Sequence, residues 1–256
     1  MSVEACAKLV EAGDPDRYRA AMAAPSQARS ILFPLYAFLL EIARAPWVTQ
    51  EAAIAEIRLQ WWRETLSEIS TGAPVKAHEV AVPLSLALGP EGAMALDGAV
   101  ASRRWDIYSD AFDSYGHFED YLMQTAAMPI WVAMEALGAG RDLKDRVLRF
   151  GWGAGLARYL VAVPELEARG RKPLLDVRLE ALSKLAEEGL ARLEAGRGLR
   201  RELGSNVTAP MLEAWTAEQV LTLAFEEPIR VREGRLKPSE FAKRAGLLKW
   251  SFLGGL

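Results

Sequence analysis

The chain is poor in the residues that build redox and metal centres: among 256 residues there is one cysteine, Cys6, and two histidines, His78 and His117. A lone thiol excludes an intrachain disulfide. So few soft ligands also exclude an iron–sulfur cluster, a thiolate zinc site and a histidine-rich metal centre. Charge of one sign is lacking as well. The formal net charge is -3, and the short basic run at 197–201 is not a nucleic-acid surface. Long apolar runs are missing: the richest stretch, 31–40, contains Pro34 and falls short of the about 18 residues a membrane span requires. The opening MSVEACAKLVEAGD has neither the basic region nor the apolar core of a signal peptide. Together these absences imply a reducing, cytoplasmic setting, with peripheral contact to the inner membrane left open.

The composition that remains, 51% hydrophobic and 25% charged, is that of an ordinary folded chain long enough to bury a sizeable core. Strand-like alternation is nearly absent, whereas three- and four-residue apolar spacing recurs throughout. Thr49 caps an expected helix whose apolar line is Ile54, Ile57, Trp61, Thr65 and Ile69. Pro90 suits the first turn of a helix over 91–108. Ser114 caps another running to about Leu137, kinked by Pro129. Further helices are expected over 143–163, 176–195, 208–226 and 238–252. Gly72-Ala-Pro74, Gly89-Pro90 and Gly138-Ala-Gly140 punctuate without a linker, so one all-α domain over 1–256 is expected.

Four segments carry chemistry or its absence. In Leu59-Gln-Trp61-Trp62-Arg63 the adjacent indoles point about 100° apart on a helix, so at least one is buried. Arg63 is either solvated or turned into a pocket wall. Gly151-Trp-Gly153-Ala-Gly155 follows no strand and has the wrong spacing for a dinucleotide loop, so it reads as close helix–helix packing. Glu165-Leu-Glu167-Ala-Arg169-Gly-Arg171-Lys-Pro173 ends a helix; its cations either complement the helix dipole or grip a diphosphate. The tail over 247–256, apolar with Lys243 and Arg244 before it, either docks on the core or lies on a membrane surface.

The order of Leu32-Phe-Pro-Leu-Tyr36-Ala-Phe38, Leu59-Gln-Trp-Trp-Arg63-Glu-Thr-Leu66, Arg104-Trp-Asp106-Ile-Tyr108 before Phe118-Glu-Asp-Tyr121, and Glu165 through Gly170-Arg171 resembles the squalene/phytoene synthase family. The resemblance covers roughly residues 5–250 and implies a helical bundle of the isoprenoid synthase type. Active members of that family join two prenyl diphosphates, with Mg²⁺ clamped between carboxylates on facing helices. Here the first aspartate-rich turn falls on Ala43, Arg44 and Trp47, and the second on Ala162, Glu165 and Leu166. Only Glu165 and Asp106 stand where the family's metal ligands would. An enzyme must remove about 8 kcal/mol or more from its barrier, and in ionising a diphosphate much of that is electrostatic, so the resemblance implies a scaffold without the chemistry.

Ala37-Phe38-Leu-Leu-Glu41-Ile-Ala43 and Pro164 are further similar to a divergent branch of the family that assists assembly of respiratory complex I. That likeness implies respiratory complex subunits or assembly intermediates as partners, no nucleic acid and no cofactor. The alternatives are a prenyltransferase with a relocated Mg²⁺ site at Glu41, Asp106 and Glu165, or a lipid or quinone binder holding a prenyl chain. Tyr36, Phe38, Trp61, Arg63, Tyr121, Arg169 and Arg171 are the residues expected at the cavity.

Overall fold

The structure, a computed structural model, describes residues 1–49, 51–108 and 110–253, with Phe252 and Leu253 described by their backbone alone. Fifteen helices are described: α1 (Val3–Gly13), α2 (Pro15–Ala23), α3 (Arg29–Arg44), α4 (Ala52–Thr71), α5 (Ala81–Ala87), α6 (Pro90–Ala95), α7 (Asp97–Ser102), α8 (Tyr115–Leu122), α9 (Met128–Ala136), α10 (Lys144–Ala168), α11 (Leu179–Leu193), α12 (Leu199–Val207), α13 (Ala217–Glu226), α14 (Ile229–Arg232) and α15 (Glu240–Leu253). There is no strand among the described residues. One apolar cluster runs from Cys6 to Leu236, so the helices share a single core. None of them is long and apolar enough to cross a membrane.

Local chemistry fixes where the chain turns. Ser2 caps α1, and Asp14 closes α1 and opens α2, its carboxylate accepting the Arg17 backbone N–H at 3.1 Å with Pro15 in the first turn. Gly72, at φ 71°, ends α4 in the left-handed conformation that glycine adopts without strain. Cys6 is fully buried in α1, and burial pushes its thiol up to about 11.

Three expectations need correction. Helix α4 buries Ala55, Leu59, Trp62, Thr65, Leu66 and Ile69, so of the expected line only Thr65 and Ile69 are buried: Ile54 is exposed, Ile57 is 67% exposed, and Trp61 is half-buried against His78. Both lines have helical spacing, and the neighbouring helices choose between them. Thr49 does not cap this helix; it accepts the Glu51 N–H instead, and the helix begins at Ala52. The stretch after Pro90 breaks into α6 and α7, then tightens into three-residue turns over 103–107 that carry Asp106 inward.

Ser114 caps α8 through the His117 N–H, as its position suggested. The rod does not end there. It continues through a π-helical turn, Met123–Ala127, directly before Met128-Pro129, and then as α9. Proline lacks an N–H and crowds the carbonyl four residues back, and the wider turn accommodates both effects. Helix α10 passes through Pro164 to Ala168, five residues beyond the expected end.

The three glycines of α10 are packing devices. A Cβ on Gly151 would stand 2.6 Å from the Ala127 Cα, one on Gly155 2.4 Å from the Ala126 Cβ, and one on Gly153 2.6 Å from the Gly189 carbonyl oxygen. The π turn and α11 therefore touch α10 at backbone distance. Gly153→Ala is expected to cost about 1–3 kcal/mol in a denaturant titration despite alanine's better helix propensity, because the opposing atom is backbone. Gly116→Ala, whose Cβ would meet nothing nearer than 3.7 Å, is the control and should be neutral or slightly stabilising.

Candidate functional site

Between α3, the α8–π-turn segment and α10 lies a cavity of about 290 Å³. Leu39, Leu40, Leu122 and Leu166 supply its apolar wall, and Gly155, Ala126 and Ala162 leave room for it. Its polar lining is Asp14, Arg17, Arg103, Asp106 and Arg158, with the hydroxyls of Tyr121, Thr125 and Tyr159 nearby.

These charges are already committed to one another. Arg17 Nε donates to Glu213 Oε2 at 3.0 Å, and Arg158 reaches Asp14 Oδ2 at 2.8 Å and Glu213 Oε1 at 3.4 Å. Glu213 is buried, and the Arg17 guanidinium lies 5.3 Å from the Tyr36 ring centroid. Burial and the adjacent Glu213 carboxylate push the Tyr36 hydroxyl well above its ordinary value. Burial alone would raise the Asp14 carboxyl too. The guanidiniums of Arg158 and Arg17 and the Arg17 N–H together outweigh it, leaving Asp14 at about 2.

A second cluster fixes Asp106, which is 3% exposed. Tyr121 donates its hydroxyl proton to Asp106 Oδ1 at 3.0 Å, while Arg103 Nη1 donates to Asp106 Oδ2 at 3.0 Å and to the Tyr121 oxygen at 2.7 Å. Arg171 donates to the Asp106 carbonyl at 2.7 Å. Burial, the dominant effect, drives the Tyr121 hydroxyl far above its usual value. Behind it, Trp105, Phe112, Phe118 and Tyr159 form an aromatic wall, with Trp105 stacked on Phe112 at 4.1 Å. Tyr159 donates to the Pro173 carbonyl at 2.8 Å and so ties the loop after α10 to this wall.

At the mouth, Trp47 follows the C-terminus of α3. The guanidinium carbons of Arg169 and Arg171 lie 4.7 and 5.0 Å from its ring centroid. Two cation–π contacts thus link the ends of α3 and α10.

The expected site residues divide accordingly. Asp106 and Tyr121 line the cavity, and Arg169 and Arg171 frame its mouth on Trp47. Glu165 lies outside the lining, its side chain 63% exposed and paired with Arg169 at 2.6 Å. Glu41 is half-buried and also outside the lining. The three carboxylates therefore do not converge. Tyr36 lies behind the Arg17–Glu213 pair, and Phe38 is fully buried edge-on to Trp62. Trp61 packs on Trp62 and His78. Arg63 does not turn inward: it meets Asp97 at 2.7 Å with 39% of its side chain exposed, the solvated alternative.

A magnesium cluster does not fit this donor set. Mg²⁺ needs uncommitted oxygen ligands, and the cavity's acids face guanidiniums. Among the described residues, no group of three or more acids, histidines or cysteines is placed to share a metal ion.

Sequence reasoning missed Asp14, Arg17, Arg103, Arg158 and Glu213. Asp14 and its partner Arg158 stand 144 residues apart, beyond the reach of any local pattern.

Comparison with known proteins gives three findings. A family model described as squalene/phytoene synthase matches residues 10–215. The human protein named "NADH dehydrogenase (ubiquinone) complex I, assembly factor 6" is 26% identical over 200 residues, covering 76% of this chain and 59% of that protein. Its Drosophila melanogaster homolog is 26% identical over 196 residues, covering 73% and 58%. The chain thus spans about 59% of the human relative's length. A dehydrosqualene synthase crystallised with a ligand superposes with a TM-score of 0.77 at 14% identity, covering 96% of this chain and 94% of that one. That likeness is one of fold.

Two outcomes test the charge clusters. Asp106→Ala strands Arg103 and the Tyr121 hydroxyl in the interior and is expected to cost about 3–5 kcal/mol, whereas Arg63→Gln at the surface should cost about 1 kcal/mol or less. Because Asp14 is lowered from 3.8 to about 2 on folding, its contribution is complete above pH 4 and fades as pH falls toward 2. Stability measured across that window should drop by about 2 kcal/mol more in the wild type than in Asp14→Asn.

Proposed function

The chain belongs to the squalene/phytoene synthase family, and from that premise we propose that it is a non-catalytic member that assists assembly of a respiratory membrane complex, complex I. Its partners would be subunits or assembly intermediates of that complex. The observation that carries this reading is the state of the cavity's acids and mouth. Ala43, Arg44, Trp47, Ala162 and Leu166 stand where the family resemblance puts metal-binding carboxylates. Trp47 carries two of the protein's own guanidiniums, and Asp106 is held by Arg103 and Tyr121. Freeing Asp106 for a metal would break a buried pair, at a cost of about 3–5 kcal/mol. The likeness to proteins named complex I assembly factor 6 supports the role.

The prenyltransferase alternative would need Glu41, Asp106 and Glu165 to act together, and their separation speaks against it. A binding role for the cavity is a distinct second reading. At about 290 Å³ it lies near the lower limit of small-molecule pockets. That is room for one prenyl or quinone tail beside Leu39, Leu40, Leu122 and Leu166. Mass spectrometry of lipid co-purified with the protein tests this reading.

Purified protein incubated with Mg²⁺ and farnesyl diphosphate should give no coupled product. Deleting its gene should lower assembled complex I and membrane NADH dehydrogenase activity several-fold. Turnover in the first experiment, or unchanged complex I in the second, overturns the proposal.

A further inference from the structure

Helix α15 is apolar on two sides, and the core uses only one of them. On the inner side Gly246 lies against Trp215, Trp250 faces Phe150 with ring centroids 6.5 Å apart, and Lys243 meets Asp16 at 2.7 Å. Arg200 donates to the Ser251 carbonyl at 2.6 Å, which pins the far end. On the outer side Phe241 and Leu248, seven residues apart and so on one line of the helix, are 82% and 61% exposed. Ala245 lies exposed between them. A docked surface helix has no need of a second apolar line, and such a patch marks a contact.

The charge around this line has one sign. Residues 237–251 hold four cations and one acid in a chain whose formal net charge is -3. The acid, Glu240, is engaged by Arg19 and Lys243. Arg244 and Lys249 are exposed beside the apolar line, and neither they nor Lys237 has an ion-pair partner among the described residues.

We propose that the outer face of α15 is a docking surface for an anionic lipid bilayer. Phe241 and Leu248 enter the headgroup–acyl boundary, while Lys237, Arg244 and Lys249 face the lipid phosphates, as in helices that lie in the plane of a membrane. The occupant follows from the combination. A second copy packed through the same face would bring Arg244 and Lys249 against their own counterparts. A nucleic-acid backbone would satisfy the cations and leave the phenyl ring in water. Only an anionic, apolar-cored surface satisfies both. The proposal is independent of the assembly role, because it rests on α15 and on Lys237 just before it.

Flotation of the full chain with phosphatidylglycerol-containing vesicles and with pure phosphatidylcholine vesicles tests it. Binding is expected to the first, weakened by salt, and not to the second. With about fivefold in affinity per cation, R244Q/K249Q should bind roughly 25-fold more weakly. F241S/L248S should lose binding as well, both variants keeping the wild-type helical spectrum and melting temperature because the changed residues face outward. Absence of binding to anionic vesicles, equal binding to neutral ones, or binding indifferent to both variants overturns the proposal. So does light scattering in which F241S/L248S turns a dimer into a monomer while wild type ignores vesicles, since that marks the face as a self-contact.

Discussion

The fold rests on how closely α10 approaches its neighbours. Gly151 and Gly155 receive the Ala127 and Ala126 of the π turn, and Gly153 receives the Gly189 carbonyl of α11. A dense interior tolerates no added methylene where backbone meets backbone. One wall of the cavity is then placed from this helix. Arg158, Tyr159, Ala162 and Leu166 follow Gly155 along it toward the lining, and Glu165 faces water beside Arg169. The π turn that meets the glycines also presents Thr125 and Ala126 to the cavity, so packing and site share one local distortion.

Within this frame the cavity's charges balance internally. Two arginines hold Asp14 and Glu213, and one arginine and one tyrosine hold Asp106. Buried charges persist only when paired, and once paired they resist being redirected toward a ligand. A site built for metal-assisted ionisation keeps its acids available. Here they serve as ties between distant parts of the chain. Asp14 joins the first two helices to α10, and Glu213 joins α2 to the segment before α13.

Much of this was legible in the sequence. The all-helical class, the Ser114 cap and the packing role of the glycine triplet follow from local rules that act over three or four residues, and the structure agrees with each. The failures share a cause. The buried face of α4 and the outward turn of Arg63 depend on which helices lie alongside, and both apolar lines of α4 satisfy the same periodicity. The ion pairs around Asp14 and Glu213 join residues up to 196 positions apart, a distance at which one arginine among 31 basic residues carries no distinguishing mark. Asp106 stood out through resemblance, but its capture by Arg103 required the tightened turns after α7, which no capping signal announced.

Cys6 gives the fold a built-in clock. Its thiol is the chain's single soft nucleophile, lies wholly inside the first helix's contact with the bundle, and is poorly ionised near neutral pH. A reagent in solution meets it only when that helix lifts away. The pace of alkylation therefore counts openings of the N-terminal edge and needs no introduced label.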